Sequence, residues 1–165
     1  MLALAKASAP AVVGELALPG QPAPDSHTGA LLADLAQRRL GKPATWLRVR
    51  VSDGAITPRV SLVYLQVNAG ATIEKPVADA LRAHVAGGGT VLVQPAGGEA
   101  ALAKKVIETL QAATADMGFE TAELANDHAL YTAGRRVGGD DRPKFIGIGD
   151  TIRTSILIAR GDFRS

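Results

Sequence analysis

Pro76–Gln94 reads PVADALRAHVAGGGTVLVQ, and three consecutive glycines divide it into two unlike halves. Before them, Val77, Leu81, His84 and Val85 lie along one side at helical spacing. Pro76 falls in the first turn, where its missing N–H would have no helical partner. After them, Thr90-Val91-Leu92-Val93-Gln94 is a short apolar run. Gly87-Gly88-Gly89 therefore closes a helix and opens a buried strand, because glycine lacks the Cβ that clashes in the left-handed position past a helix end. A phosphate cradle uses the opposite order, strand then glycine loop then helix, so that a helix N-terminus faces the anion. The triplet is expected to be a scaffold corner and not a phosphate site.

The pattern extends in both directions from that corner. Upstream, Val60–Val67 is nearly continuous in apolar residues, as in a strand covered on both faces. Leu47-Arg48-Val49-Arg50-Val51 alternates like a half-exposed strand, and Asp53-Gly54 marks a turn. Leu31, Leu32, Leu35, Ala36 and Leu40 share one face of a helix stopped by Gly41 and Pro43. Residues 1–28 carry Pro10, Pro19, Pro22 and Pro24 and read as an Ala/Pro-rich N-terminal arm. Its one strand-like run, Ala11–Leu18, is weakened by Gly14. Downstream, Glu99–Met117 predicts a long helix with Leu102, Val106, Ile107 and Leu110 inward, closed by Gly118. Short strands are expected at Phe119–Leu124, Phe145–Ile148 and Ser155–Ala159, the last two joined by a turn at Gly149-Asp150. Residues 29–165 thus form a single α/β domain, a three-layer sandwich with a mainly parallel sheet.

Composition narrows the chemistry mostly by exclusion. The 165 residues include 18 basic and 16 acidic side chains, a net charge of +2 that creates little long-range field. Arg135, Arg136, Arg142 and Lys144 are the nearest approach to a basic patch, but Asp140 and Asp141 offset them, so no nucleic-acid partner is expected. No run reaches the roughly 20 apolar residues of a membrane helix, so no direct membrane insertion is expected. The chain has no cysteine, which removes disulfides, thiolate zinc sites and every cysteine nucleophile. That absence is compatible with the cytoplasm and with export alike. His27, His84 and His128 fall in no H-x-x-x-H or H-E-x-x-H spacing, and neither a metal nor a cofactor is expected.

Two loops remain as candidate sites. Gln94-Pro95-Ala96-Gly97-Gly98 has the strand–glycine loop–helix order without the spacing of a dinucleotide fingerprint or the Lys-Ser/Thr of a P-loop. Gln94, Gly97 and Gly98 are its candidate ligand contacts, because open α/β sheets bind ligands beyond their strand carboxyl ends. The second loop is Asn126-Asp127-His128-Ala129-Leu130-Tyr131. There Asp127 and His128 are the candidate catalytic pair, with Tyr131 a candidate ligand contact. The plainer reading has Asp127 capping a turn while His128 and Tyr131 anchor the loop to the body. Asp140, Asp141 and Asp150 sit among turn residues, which account for them.

Several of these pieces together resemble the bacterial domain-of-unknown-function family DUF4159, whose fold is class I glutamine amidotransferase-like within the flavodoxin-like group. The matching pieces are Leu62-Val63-Tyr64-Leu65, the helix with Val77, Leu81, Arg82 and Val85, and the glycine turn into Thr90-Val91-Leu92-Val93. They continue through Asp127-His128-Ala129-Leu130-Tyr131 and Phe145-Ile146-Gly147-Ile148 to Ile156-Leu157-Ile158-Ala159-Arg160-Gly161-Asp162. Members of that family carry an acid or aromatic residue in the loop after the glycine-turn strand, where this chain has Gln94–Gly98. The resemblance implies a nucleophile elbow near Gln94–Gly98, yet no nucleophilic side chain stands there.

The expectation is a non-catalytic domain that binds a protein partner or a small ligand. One alternative is a hydrolase using Asp127 and His128 in a cleft at the strand carboxyl ends. Another is a structural module of a homo-oligomer or larger assembly. The early end at Ser165, soon after Gly161-Asp162, fits a piece of a longer polypeptide whose other domains are partners.

Overall fold

The glycine corner folds as its sequence dictates. Helix α1 (Lys75–Ala86) ends at Gly87, and strand β5 (Thr90–Pro95) follows within three residues. Gly89 N–H donates to the His84 carbonyl at 2.9 Å and Gly88 N–H to that of Val85 at 3.0 Å. That crossed pair is the Schellman arrangement, with Gly88 in the left-handed region at φ 87°. Gly89 has a different reason: a Cβ there would run into the His84 ring.

The computed structural model describes residues 11–21, 30, 34, 37–38, 43–128 and 144–160. Strands β1 (Ala11–Leu16), β2 (Ala44–Ser52), β3 (Ala55–Thr57) and β4 (Leu62–Val67) precede the corner. Helix α2 (Ala100–Ala113) and strands β6 (Glu120–Glu123), β7 (Lys144–Gly149) and β8 (Thr154–Arg160) follow it. All eight strands form one sheet in the order β3-β2-β1-β4-β5-β8-β7-β6. The central five, β2-β1-β4-β5-β8, are parallel, while β3 pairs antiparallel at one edge and β7 pairs antiparallel with both β8 and β6 at the other. Numbered among themselves in chain order, the parallel five read 2-1-3-4-5 across the sheet. The chain is an α/β domain with a mostly parallel mixed sheet.

Val77, Leu81 and Val85 of α1 and Leu102, Val106 and Leu110 of α2 share one core with Val63, Leu65, Val67, Val91, Val93, Ile156 and Ile158. Side chains alternate along a strand, so Glu15, Tyr64, Gln66, Leu92 and Gln94 project from the opposite face. Register confirms the grouping: Glu15 pairs with Tyr64, Tyr64 with Leu92, and Gln66 with Gln94. One face of the sheet is aliphatic and carries helices; the other carries a row of polar side chains.

Two expectations need correction, and one strand was not expected. The run Ala11–Leu16, assigned to an arm ending at residue 28, is a strand in the interior of the sheet, paired on both sides. Gly14, which weakened the strand reading, is what admits it, since a Cβ there would stand 2.8 Å from side-chain methyls of both Val49 and Val60. Edge strand β3 went unread because three residues carry too little pattern. The predicted helix to Met117 stops at Ala113, where the Thr114 hydroxyl donates to the Leu110 carbonyl at 2.8 Å and a single 3-10 turn leads to left-handed Gly118. In the helix expected over the Leu31–Leu40 region, Ala30, Asp34, Gln37 and Arg38 are helical, and the remainder lies outside the described residues.

Replacing Gly14 with alanine is expected to destabilise the domain by about 1–3 kcal/mol, the range for forcing a methyl into a close-packed interior. Urea unfolding of Gly14→Ala beside wild type measures it. An unchanged midpoint would mean that β1 does not need this close approach.

Candidate functional site

In an open α/β sheet the crevice forms where neighbouring strands send their connections to opposite sides, beyond the carboxyl ends. In the order 2-1-3-4-5 that place lies between β1 and β4. The segments leaving those strands are Ala17–Gln21 and Asn68–Gly70. They meet there: the Asn68 N–H donates to Gln21 Oε1 at 3.4 Å, and Gln66 Nε2 donates to Asn68 Oδ1 at 2.8 Å. All three side chains are partly exposed. One strand further, Tyr64 donates its hydroxyl proton to Gln94 Oε1 at 2.8 Å, with both side chains essentially buried. Glu15, at 1% exposure, belongs to the same polar face.

The loop after β5 completes this end of the sheet. Pro95 leads into a 3-10 turn at Ala96–Gly98, with Gly97 left-handed at φ 71°, and α2 begins at Ala100. It is a strand–turn–helix elbow whose tight point has no side chain. Gly97 is exposed, whereas Gln94 is 2% exposed and tied to Tyr64. The Gln94 amide therefore supports the site from beneath and does not face solvent.

The second candidate loop lies elsewhere. His128 Nε2 sits 3.2 Å from Thr154 Oγ1, at the amino-terminal start of β8. Pairing of Val91 with Ile156 sets Thr154 level with Gly89, at the opposite end of β5 from Gln94. Five residue steps at strand rise separate those levels by about 16 Å. The loops containing Gln94 and His128 do not converge, and His128 occupies no cleft at the strand carboxyl ends. Asp127 is exposed in the turn in which His128 N–H donates to the Ala125 carbonyl at 2.9 Å. Asp150 is a turn residue, its Oδ1 accepting from the N–H groups of Ile152 at 2.8 Å and Arg153 at 2.7 Å. His27, Tyr131, Arg135, Arg136, Asp140, Asp141 and Arg142 lie outside the described residues.

Gln21, Gln66 and Asn68 were missed in the sequence. The available signal was weak: polar residues at alternate positions 66 and 68, where an otherwise apolar strand ends. Gln21 lies 47 positions from Asn68, and no local pattern joins them.

The amino-terminal end of the sheet has a cleft of its own, about 660 Å³, with Arg59, Ser61, His84 and the glycine turn among its walls. His84 Nε2 lies 3.3 Å from the Thr90 carbonyl. Burial pushes the His84 pKa below its ordinary value; the Thr90 carbonyl opposes this, and the charges of Arg153 and Arg59 add to it. A second cleft, about 630 Å³, lies between α1 and α2. Its Arg82 and Asp116 are mutually hydrogen-bonded, with Nε to Oδ1 at 3.1 Å.

Among the described residues, no three His, Asp or Glu side chains group to hold a metal ion, and no helix is long and apolar enough to cross a membrane. Comparison of the chain with protein-family models, with curated proteins and with solved structures gives no match in any of the three.

The depressed His84 pKa fixes the sign of a pH effect. On unfolding the imidazole returns towards its ordinary value of 6.5, so below that pH the unfolded chain binds more protons than the folded one. The contribution is complete above pH 6.5 and is lost as pH falls through the folded value. Urea midpoints are expected to drop on acidification across this window, and to drop less in His84→Gln. Equal drops in the two proteins would remove His84 as the cause.

Proposed function

We propose that this chain is a non-catalytic binding domain on a flavodoxin-like, class I glutamine amidotransferase-like scaffold. Its ligand, a small polar molecule or a segment of a protein partner, docks beyond the carboxyl ends of β1, β4 and β5. The observation that carries this reading is the elbow Pro95–Glu99. It has the strand–turn–helix form in which such folds present a nucleophile, but its left-handed position is Gly97 and no residue in it bears a hydroxyl or thiol. The 2-1-3-4-5 order of the parallel strands supports the flavodoxin-like assignment, as does the resemblance to DUF4159.

The chemistry beside the elbow suits recognition. Gln21, Gln66 and Asn68 offer carboxamides, each able to donate and accept, and they carry no charge. Such a set matches neutral polar groups, such as sugar hydroxyls, amides or a peptide backbone. Exposed Gly97 and Gly70 let a ligand approach the main chain closely.

The alternatives draw less support. A hydrolase built on Asp127 and His128 would have to work from the amino-terminal end of β8, outside the crevice. Assembly by strand addition is disfavoured at both edges, since β3 has three residues and β6 carries Glu120 and Glu123.

Amide NMR spectra recorded against a set of neutral polar fragments test the proposal. Shift changes are expected to map to Gln21, Gln66–Gly70 and Gln94–Gly98, with Asn68→Ala weakening the best fragment about tenfold, the size of one or two lost hydrogen bonds. Shifts confined to other regions would overturn it. So would turnover of a hydrolase substrate panel that disappears in His128→Ala.

A further inference from the structure

Of the described ion pairs, Arg38–Asp34, Lys75–Asp79, Arg82–Asp116, Lys104–Glu108 and Arg160–Glu123 each match a cation with a carboxylate. Arg59 and Arg153 belong to none of them. Both instead grip the glycine turn at the amino-terminal end of the sheet. Arg59 donates from Nη2 to the Gly87 carbonyl at 3.4 Å. Arg153 donates from Nη2 to the Gly89 carbonyl at 2.7 Å and to Thr90 Oγ1 at 2.9 Å. Arg153 Nη1 lies over Gly88, 3.8 Å from where a Cβ would stand. Two chain positions 94 residues apart thus bring guanidinium groups to adjacent glycines, with the His84 imidazole beside them.

We propose that the cleft lined by Arg59, Ser61, His84 and the glycine turn, with Arg153 bonded to that turn, binds an organic oxyanion, a phosphate monoester or a carboxylate. This site is separate from the crevice at the carboxyl ends and goes beyond the function proposed above. The cleft's 660 Å³ falls within the usual size of a small-molecule site and exceeds what a bare inorganic anion fills. Ile56, Val60 and Ala83 supply an apolar wall for the ligand's body.

Charge decides whether an anion is welcome. The carboxyl end of α1 contributes about half a negative charge and Asp150, bonded to the Arg153 N–H at 2.7 Å, one more, which the two guanidiniums still outweigh. The glycine amides take no part, because Gly87, Gly88 and Gly89 N–H groups already donate to the carbonyls of Ala83, Val85 and His84. Recognition therefore falls to side chains: the remaining guanidinium N–H groups, the exposed Ser61 hydroxyl and the imidazole. This arrangement differs from a P-loop, in which backbone amides hold the phosphate. An ordinary capping role for the two arginines makes the opposite forecast, indifference to anions.

His84 reports on the difference. Both arginines hold its imidazole towards the neutral form, after burial. An anion seated among them reverses part of that push, so its binding raises the His84 pKa.

The test is NMR titration of the His84 ring together with calorimetry, using phenyl phosphate, benzoate and inorganic phosphate as probes. Phenyl phosphate or benzoate is expected to bind, to raise the His84 pKa, and to bind at least tenfold more weakly to Arg59→Gln. Inorganic phosphate is expected to bind more weakly than the better organic probe. Tighter binding of phenyl phosphate assigns a phosphate ester, and tighter binding of benzoate assigns a carboxylate. Arg59 is exposed and makes one long hydrogen bond, so Arg59→Gln is expected to fold normally. Arg153→Gln, checked by its amide spectrum, provides the second variant. Binding of neither organic probe, equal affinity in both variants, or an unmoved His84 titration would overturn the proposal. Loss of fragment binding at Asn68 would leave this result unaffected.

Discussion

The approach of β2 and Val60 to β1 at Gly14 is the constraint on which the rest of the structure depends. With 2.8 Å between a Cβ at that position and the nearest methyls of Val49 and Val60, β1 fits between its neighbours only because residue 14 has no side chain. The insertion of β1 turns a run of sequential strands into the order 2-1-3-4-5 and creates the reversal between β1 and β4. Gln21 meets Asn68 at that reversal. The insertion also fixes Glu15 opposite Tyr64, so the polar face of the sheet follows from the same contact. The candidate site at the carboxyl ends is a consequence of how closely two valines approach a glycine.

The parts of this fold that the sequence reveals are those whose physics is local. The α1–glycine–β5 corner was legible because helical spacing, a C-terminal glycine and an apolar run lie side by side in nineteen residues. β4 was legible for a similar reason, its apolar run being long enough to exclude a half-exposed strand. β1 was obscured because Gly14 disrupts strand propensity locally while serving packing against residues 35 and 46 positions away. The candidate sites were less legible still. Gln94 was rightly placed at a strand end but, once its burial is known, supports the site from below. His128 was singled out by its neighbour Asp127, yet its ring meets Thr154, 26 positions on, at the other end of the sheet. Arg59 and Arg153 have no signature at all until a sheet brings their strand ends together.

The two ends of the sheet differ in chemistry as well as position. Carboxamides dominate the carboxyl end, and their hydrogen bonds to one another hold them in place without net charge. Cations dominate the amino end, where the α1 carboxyl terminus offers carbonyls to anchor them. The first end thus presents paired neutral donors and acceptors, and the second presents guanidinium groups. Among the described residues, neither end brings a serine or threonine hydroxyl, a histidine and a carboxylate together as a nucleophilic triad does, and the left-handed position of the elbow is Gly97. The packing of α1, α2 and the parallel strands makes no use of a side chain at the elbow, so the fold itself does not decide what stands there.

The glycine triplet divides its work accordingly. Gly87 and Gly88 close α1, and Gly89 makes room for the His84 ring beneath β5. A side chain at Gly89 would displace that ring from the Thr90 carbonyl, and with it the wall that the imidazole forms in the cationic cleft. Element order argued against a phosphate cradle of the familiar kind, and the hydrogen bonds agree, since every amide of the triplet is engaged within the helix end. What the order does not address is the side chains that the turn recruits. With its amides engaged in the end of α1, the triplet leaves the Gly87 and Gly89 carbonyls to accept from guanidinium groups. Arg59 and Arg153 thereby stand one step removed from the backbone, held on its carbonyls, whereas a P-loop offers its amides directly.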